Sequence, residues 1–457
     1  MPQPPSPLSL RDKLLYSCGY FGVSLLSGLF MLWASYRYGA LFTGEGKAWV
    51  GLALLVARFA DAPVDPLVGW WSDRTRTALG RRRPFIALGA VPLVGLFALV
   101  WAPPGGVDSV WNLVWLLGIG TGFFVLFSIV VNPYLAMLPE VARSPDDRMS
   151  LSTWVAAFGL GAQVAAMIGG SLLAGKTGSF ALTVALTCVI ALICLGLPLA
   201  VREVRDRPAE GLPELGLWRA VRETLANGPF RVFLLSKCLY WVGVHTVLAV
   251  APFLARGMLG CETDRDVQTQ TAYLLASACG PAFLWFAVMG RLARLSSKRT
   301  ISLIGLATLT GLALLLTTVG LGGLSPTLWA RLIMAAGSFT VAALFAAPTA
   351  ILAELVDLDE RRTGMRREAM YFGAQGLFVK AAWGGSSLIV MAAQGLFHAD
   401  PALAVRVALL AVAAVSGLAF AVFLRFPEDE ALRRMGAASG TDTDPADAGS
   451  ASVPGAR

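Results

Sequence analysis

Long apolar runs separated by short polar loops divide the chain into twelve candidate spans, each about as long as a helix needs to cross a hydrocarbon core. The first six are predicted over about Leu14–Ala40, Ala48–Trp71, Phe85–Ala102, Val110–Leu138, Leu151–Ala174 and Phe180–Ala200. The last six are predicted over about Pro229–Ala255, Gln268–Met289, Ile301–Gly320, Thr327–Leu352, Met370–Gly395 and Ala402–Leu424. The runs lack the alternation of a membrane β-barrel, so the predicted class is all-α. The pattern yields two six-helix bundles, 1–200 and 229–424. A polar central loop, 201–228, joins them, and a small polar tail, 425–457, is predicted to be disordered. In the central loop Leu217, Val221 and Leu225 recur at one helical turn, as in a helix lying on the membrane surface.

Composition turns candidate spans into membrane spans. Hydrophobic residues are 56% of the chain and charged residues 14%, too few to cover a water-facing surface of this size. The 48 glycines and 25 prolines fit helices packed in lipid, where neighbours satisfy what they break. A net charge of +8 could suggest nucleic acid, but its distribution excludes that reading. The arginines crowd into the even-numbered loops, while the odd-numbered loops hold little beyond Lys47, Lys176, Arg256 and Arg265. By the positive-inside rule both termini are cytoplasmic. Five of the six cysteines lie in apolar runs and none forms a CxxC pair, so neither a disulfide framework nor a zinc site is expected. The N-terminal segment lacks the apolar core of a removable signal peptide.

The densest chemistry lies in ARFADAPVDPLVGWWSDRTRTALGRRRP, from Ala57 to Pro84. Asp61 and Asp65 are spaced i, i+4, which on one helix places their Cβ atoms about 5–6 Å apart. Carboxylates inside a span are costly, and by default they mark an ion or proton site. Arg58, one turn away, offers the plainer reading of a neutralised structural charge. Lys380, alone in the apolar eleventh span, needs an anion, and the aspartate pair is the obvious one. Cation binding could then compete with the lysine. His245 sits mid-span, to bind substrate, to titrate, or to be satisfied by a neighbouring helix. Tyr20, Tyr240, Trp241, Trp285 and Trp383 could stack on a sugar face or simply pack. Asp73, Arg74, Arg81, Arg82 and Arg83, with Glu140, Glu354 and Asp357, form a candidate cytoplasmic gate, although the arginines could serve topology alone.

The halves echo each other. PYLAMLPEVARSPDDRMSLSTWVAAFG, from Pro133, matches PTAILAELVDLDERRTGMRREAMYFG, from Pro348, in its proline, its glutamate and its aromatic-glycine pair. GRRR after span two has a weaker counterpart in GRLARLSSKR after span eight. Paired six-helix repeats around a midplane site are the layout of an alternating-access transporter.

KLLYSCGYFG, LVARFADAPVDPLVGWWSDRT with GRRRPFI, PYLAMLPE, AELVD followed by GMRRE, and the Lys380 helix together resemble the glycoside–pentoside–hexuronide:cation symporters of the major facilitator superfamily. The resemblance implies the major facilitator fold, with Asp61 and Asp65 as the cation site, Ser128 in place of a threonine ligand and Lys380 as the intramembrane lysine. It also implies a substrate contact at Gln375, with Phe345 and Phe127 standing where the family has a tryptophan and a tyrosine. Where the family's galactoside pocket has carboxylates and an arginine, this chain has Ser24, Val131 beside Asn132, and Ala156. An asparagine that helps coordinate sodium is Val64. The coupling carboxylates are therefore kept while the galactoside pocket is not.

The sequence thus predicts a multi-pass protein of a bacterial inner membrane that moves a sugar or glycoside together with a proton or sodium ion. It needs no cofactor and no obligatory protein partner, and its partners are the small solute and the bilayer. Two other cargoes fit the same fold, a lysolipid or other amphiphile and a drug exchanged for protons. No nucleophile–base motif, metal cluster or Walker loop argues for an enzyme.

Overall fold

The structure is a computed structural model that describes residues 8–142, 144–201, 226–363 and 368–427. The predicted surface helix of the central loop and the C-terminal tail lie outside the described residues. Among the described residues twelve spans cross the molecule, and ten of them contain a helix long and apolar enough to do so alone. Side chains capable of capping start several of them: Ser9, Ser179, Asn227, Thr263 and Ser297 each accept a hydrogen bond from a first-turn backbone N–H. Large apolar side chains such as Leu88, Trp111, Ile193 and Leu284 face outward, as lipid-facing residues must.

The other two spans, two and ten, are each built of two helices. Span two runs over Gly46–Phe59 and Val64–Arg74, and span ten over Pro326–Ala336 and Ser338–Thr363. Both differ from the uninterrupted runs predicted. In span ten the break is at Gly337, which packs against the Leu312 side chain of span nine. Span five, from Pro145 to Thr177, is continuous but carries a wider π-type turn at Ala165–Gly169.

The described contacts between the halves concentrate at the face of the odd-numbered loops. Span two lies against span eleven (Glu368–Leu396) so closely that a Cβ on Gly51 would be 2.8 Å from Leu388 Cα, and one on Gly384 would be 2.9 Å from Leu55 Cα. Nearby, Tyr36 of span one packs edge-on to Phe253 of span seven at 5.2 Å. An ionic cluster covers this seam: Asp264 receives Tyr36 at 3.2 Å, Arg37 at 3.5 Å and Arg256 at 3.1 Å. On the opposite face the described ion pairs join residues of the same half. The molecule is therefore closed at the odd-loop face.

Neither Gly51 nor Gly384 has room for a side chain without moving backbone. Gly384→Val should pry spans two and eleven apart and raise the reactivity of a cysteine placed at Ser387 towards an impermeant thiol reagent added from the odd-loop side. Unchanged reactivity in a correctly inserted protein would contradict this packing as the seal.

Candidate functional site

Span two breaks where its charges begin. Pro63 and Pro66 have no N–H, so the carbonyls of Phe59 and Ala62 lose the donors an unbroken helix would supply. A turn forms instead, with Ala62 N bonding Phe59 O at 3.1 Å and Val64 N bonding Asp61 O at 3.0 Å. The unbroken helix expected beneath the two aspartates is thus corrected, while their shared direction towards Lys380 is kept. Asp61 sits in the turn, and Asp65 in the first turn of the next helix.

Both carboxylates still reach one lysine. Lys380 Nζ lies 2.6 Å from Asp65 Oδ2 and 2.9 Å from Asp61 Oδ2, bridging span eleven of the second half to span two of the first. Asp61 Oδ2 also accepts from Arg58 at 2.5 Å and from Ser128 Oγ of span four at 3.1 Å. Its Oδ1 is enclosed without a hydrogen-bond partner among the described residues. Asp65 Oδ1 accepts from Asn132 Nδ2 at 2.9 Å. The two differ sharply in burial, Asp61 being fully enclosed while the Asp65 side chain is 37% exposed. Solvent thus reaches one carboxylate and not the other.

Arg58 changes the charge balance read from the sequence. Two aspartates facing one lysine become two carboxylates facing two cations, a cluster neutral when all four are ionised. The two cations offset the mutual repulsion of the aspartates. The guanidinium lies 4.7 Å from the Phe124 ring centre and 5.0 Å from that of Trp383, two rings that meet edge-on, so it too ties the halves together.

The remaining candidates are scattered around this cluster. His245 is buried, stacked on Trp241 at 4.8 Å and edge-on to Trp383 at 5.9 Å, with neither ring nitrogen hydrogen-bonded. Gln375 Oε1 is likewise enclosed and unpartnered. Asn132 is turned towards Asp65. Tyr20 stacks on Tyr134 at 6.4 Å, and Phe127 packs against Phe123 at 6.0 Å. Tyr240 and Trp285 serve packing, through a hydrogen bond to Thr340 O and an edge contact with Phe339. The side chain of Phe345 lies outside the described residues.

The candidate gate residues pair locally. Arg81 and Arg82 both reach Glu140, Arg82 at 3.2 Å, and Arg82 also reaches Asp73 at 3.2 Å. Arg74 lies over the Trp70 ring at 4.1 Å. Arg83 begins span three, Arg83–Val100. Glu354 is held by Lys298, and Asp357 is exposed. The sequence reading missed the Asp264 cluster at the other face and the contact of Arg58 with the Phe124 ring. The former had a signal, since charges in the nearly bare odd-numbered loops and at their helix ends call for a reason.

A family model described as MFS/sugar transport protein matches residues 15–424. An uncharacterized symporter of Synechocystis sp. (strain ATCC 27184 / PCC 6803 / Kazusa) is 26% identical over 219 residues, covering 47% of this chain and 35% of that protein. The isoprimeverose transporter of Lactiplantibacillus pentosus is 27% identical over 246 residues, covering 51% of this chain and 50% of that protein. The chain therefore spans half or less of the length of these two relatives. Among solved structures, that of the nucleoside transporter NupG superposes with a TM-score of 0.66 at 13% identity, covering 91% of this chain and 98% of that one, a likeness of fold.

Removing the lysine should expose the dependence of the two halves on this bridge. Lys380→Met leaves two carboxylates with one arginine, and losing one partner of a buried pair costs about 3 kcal/mol. The melting temperature of the purified protein should fall, and Asp65→Asn in the same chain should recover most of the loss. A double variant no more stable than the single one would contradict a shared pair.

Proposed function

The chain belongs to the MFS/sugar transport protein family, and on that premise we propose that it is a proton-coupled symporter carrying a sugar or glycoside across a bacterial inner membrane. The observation that carries this reading is the Lys380 bridge, because it ties the charge state of Asp65 to the contact between the halves. With both carboxylates ionised the cluster is neutral, and Lys380 holds span eleven to span two. A proton on the solvent-reached Asp65 removes one carboxylate from the ammonium. Lys380 is then free to donate to a sugar hydroxyl, so proton and sugar each favour the binding of the other. Without a sugar hydroxyl to accept from it the ammonium is left short of partners, which is costly in the low-dielectric core and disfavours movement of a carrier loaded with the proton alone. No covalent bond is made or broken.

Polar atoms left without partners suit the sugar. His245 and Gln375 offer hydrogen bonds beside the aromatic faces of Trp241 and Trp383. Tyr20, Phe127 and Phe345 are the further aromatic candidates, and the relative named as an isoprimeverose transporter supports a sugar as the cargo class. Sodium is the second reading for the coupling ion. It is favoured by the enclosed, unpartnered Asp61 Oδ1 next to Ser128 Oγ, two oxygens that a proton does not need. The arginine-rich even-numbered loops put that face, with both termini, in the cytoplasm. In the structure's outside-closed state Arg81 and Arg82 rest on Glu140. In the outward-facing state these arginines would close against Glu354 or Asp357 as well.

Uptake of labelled sugars and of a lysolipid into proteoliposomes under imposed proton or sodium gradients tests the reading. Sugar should accumulate with the proton gradient, and Asp65→Asn should abolish accumulation while sparing downhill exchange. Accumulation by Asp65→Asn, or wild-type uptake that follows sodium and ignores pH, would overturn the proton version. Transport of the lysolipid alone, or expulsion of a drug, would overturn the cargo.

A further inference from the structure

Lys237 is an intramembrane cation that the coupling cluster does not use. It lies on span seven, Gly228–Met258, is 8% exposed, and among the described residues has neither an ion pair nor a hydrogen-bond acceptor. Its ammonium sits 5.4 Å from the centre of the Phe233 ring. A ring face offsets only part of the cost of a buried ammonium, which calls for an anion.

The place of the ammonium narrows the choice of anion. Side chains on a helix lean towards its N-terminus, and Lys237 reaches back one turn to Phe233, towards the even-loop face. At the rise of an α-helix that level is ~8 Å from the start of the span, near the headgroup zone. The lysine opens into a narrow crevice of ≈ 20 Å³ walled by Phe233, Ser236, Tyr240, Leu306, Pro348 and Phe423. Such a volume admits one water-sized group, room for an outer oxygen of a phosphate held at the rim but not for a sugar. The hydroxyls nearby are already engaged, Ser236 donating to Ala419 O at 2.9 Å and Tyr240 to Thr340 O at 2.8 Å. The free donor is therefore the ammonium.

The ends of the same elements carry further cations. Arg231 lies in the first turn of span seven, Lys298 and Arg299 begin span nine, and Arg425 follows span twelve. Of these, Lys298 is engaged by Glu354, and Arg299 donates to Leu424 O at 2.8 Å. A basic rim around an apolar crevice that holds one unpaired lysine is complementary to a phosphate carrying hydrocarbon.

We propose that Lys237 receives the phosphate of an anionic phospholipid from the leaflet on the even-loop face. The inference goes beyond the symport reading and does not depend on it. The probes are phosphatidylglycerol, phosphatidylcholine and inorganic phosphate, each added to the purified full chain in mild detergent, with lipid retention read by native mass spectrometry. Wild type should retain phosphatidylglycerol over phosphatidylcholine, Lys237→Met should bind it about fivefold more weakly, and Lys237→Arg should restore binding. Equal binding by Lys237→Met would overturn the proposal, as would inorganic phosphate displacing the lipid. A photoactivatable phosphatidylglycerol on the wild-type chain gives a second test that needs no variant. Crosslinks should fall on the Phe233–Tyr240 segment or on the facing turns of spans nine and twelve, and crosslinks confined elsewhere would overturn the assignment. Neither readout involves sugar or coupling ion, so failure here leaves the symport reading standing.

Discussion

Everything at the centre of this molecule turns on the cost of charge in a medium that cannot solvate it. Four ionic groups, Arg58, Asp61, Asp65 and Lys380, meet between the halves, and each is tolerable only because the others are present. Three belong to span two and one to span eleven. A change in the number of charges would therefore bear on the contact between the bundles, which is the physical basis of the coupling proposed above. The unequal burial of the aspartates divides the work. Enclosed Asp61, with Arg58 and Ser128 on one oxygen, anchors the cluster, while partly exposed Asp65 is the carboxylate that solvent and ions can reach.

The scaffold meets this requirement with breaks and close approaches. Prolines interrupt span two where the aspartates must diverge from a regular helix yet converge on one lysine. Glycines 51 and 384 let spans two and eleven touch almost backbone to backbone on the odd-loop side of that lysine. The Asp264 cluster then ties the same seam at its surface. These contacts form a graded closure, apolar in depth and ionic at the rim.

Much of this was legible in the sequence because lipid enforces it. Apolar runs of span length, arginines confined to alternate loops and two aspartates facing one intramembrane lysine all follow from solvation costs that a single chain must display. The break in span two was written there too, as Pro63 and Pro66, but proline is tolerated inside membrane helices often enough that an unbroken run remained the natural reading. Arg58 was visible as a neighbour, yet its weight depended on Phe124 and Trp383, which lie far away in sequence and meet it only through tertiary packing. The break at Gly337 was hidden because glycine is common inside membrane helices and marks no boundary by itself. The Asp264 seam needed pairing across the halves, and spacing along one chain does not report that.

The central claim is that Asp65 exchanges its lysine for a proton. Infrared difference spectroscopy on the purified protein, taken as the pH is lowered, tests it most directly because it observes the carboxyl group itself. The account predicts a protonated-carboxyl band that is absent in Asp65→Asn and retained in Asp61→Asn. A band that survives Asp65→Asn, or no band at any pH at which transport runs, would contradict it.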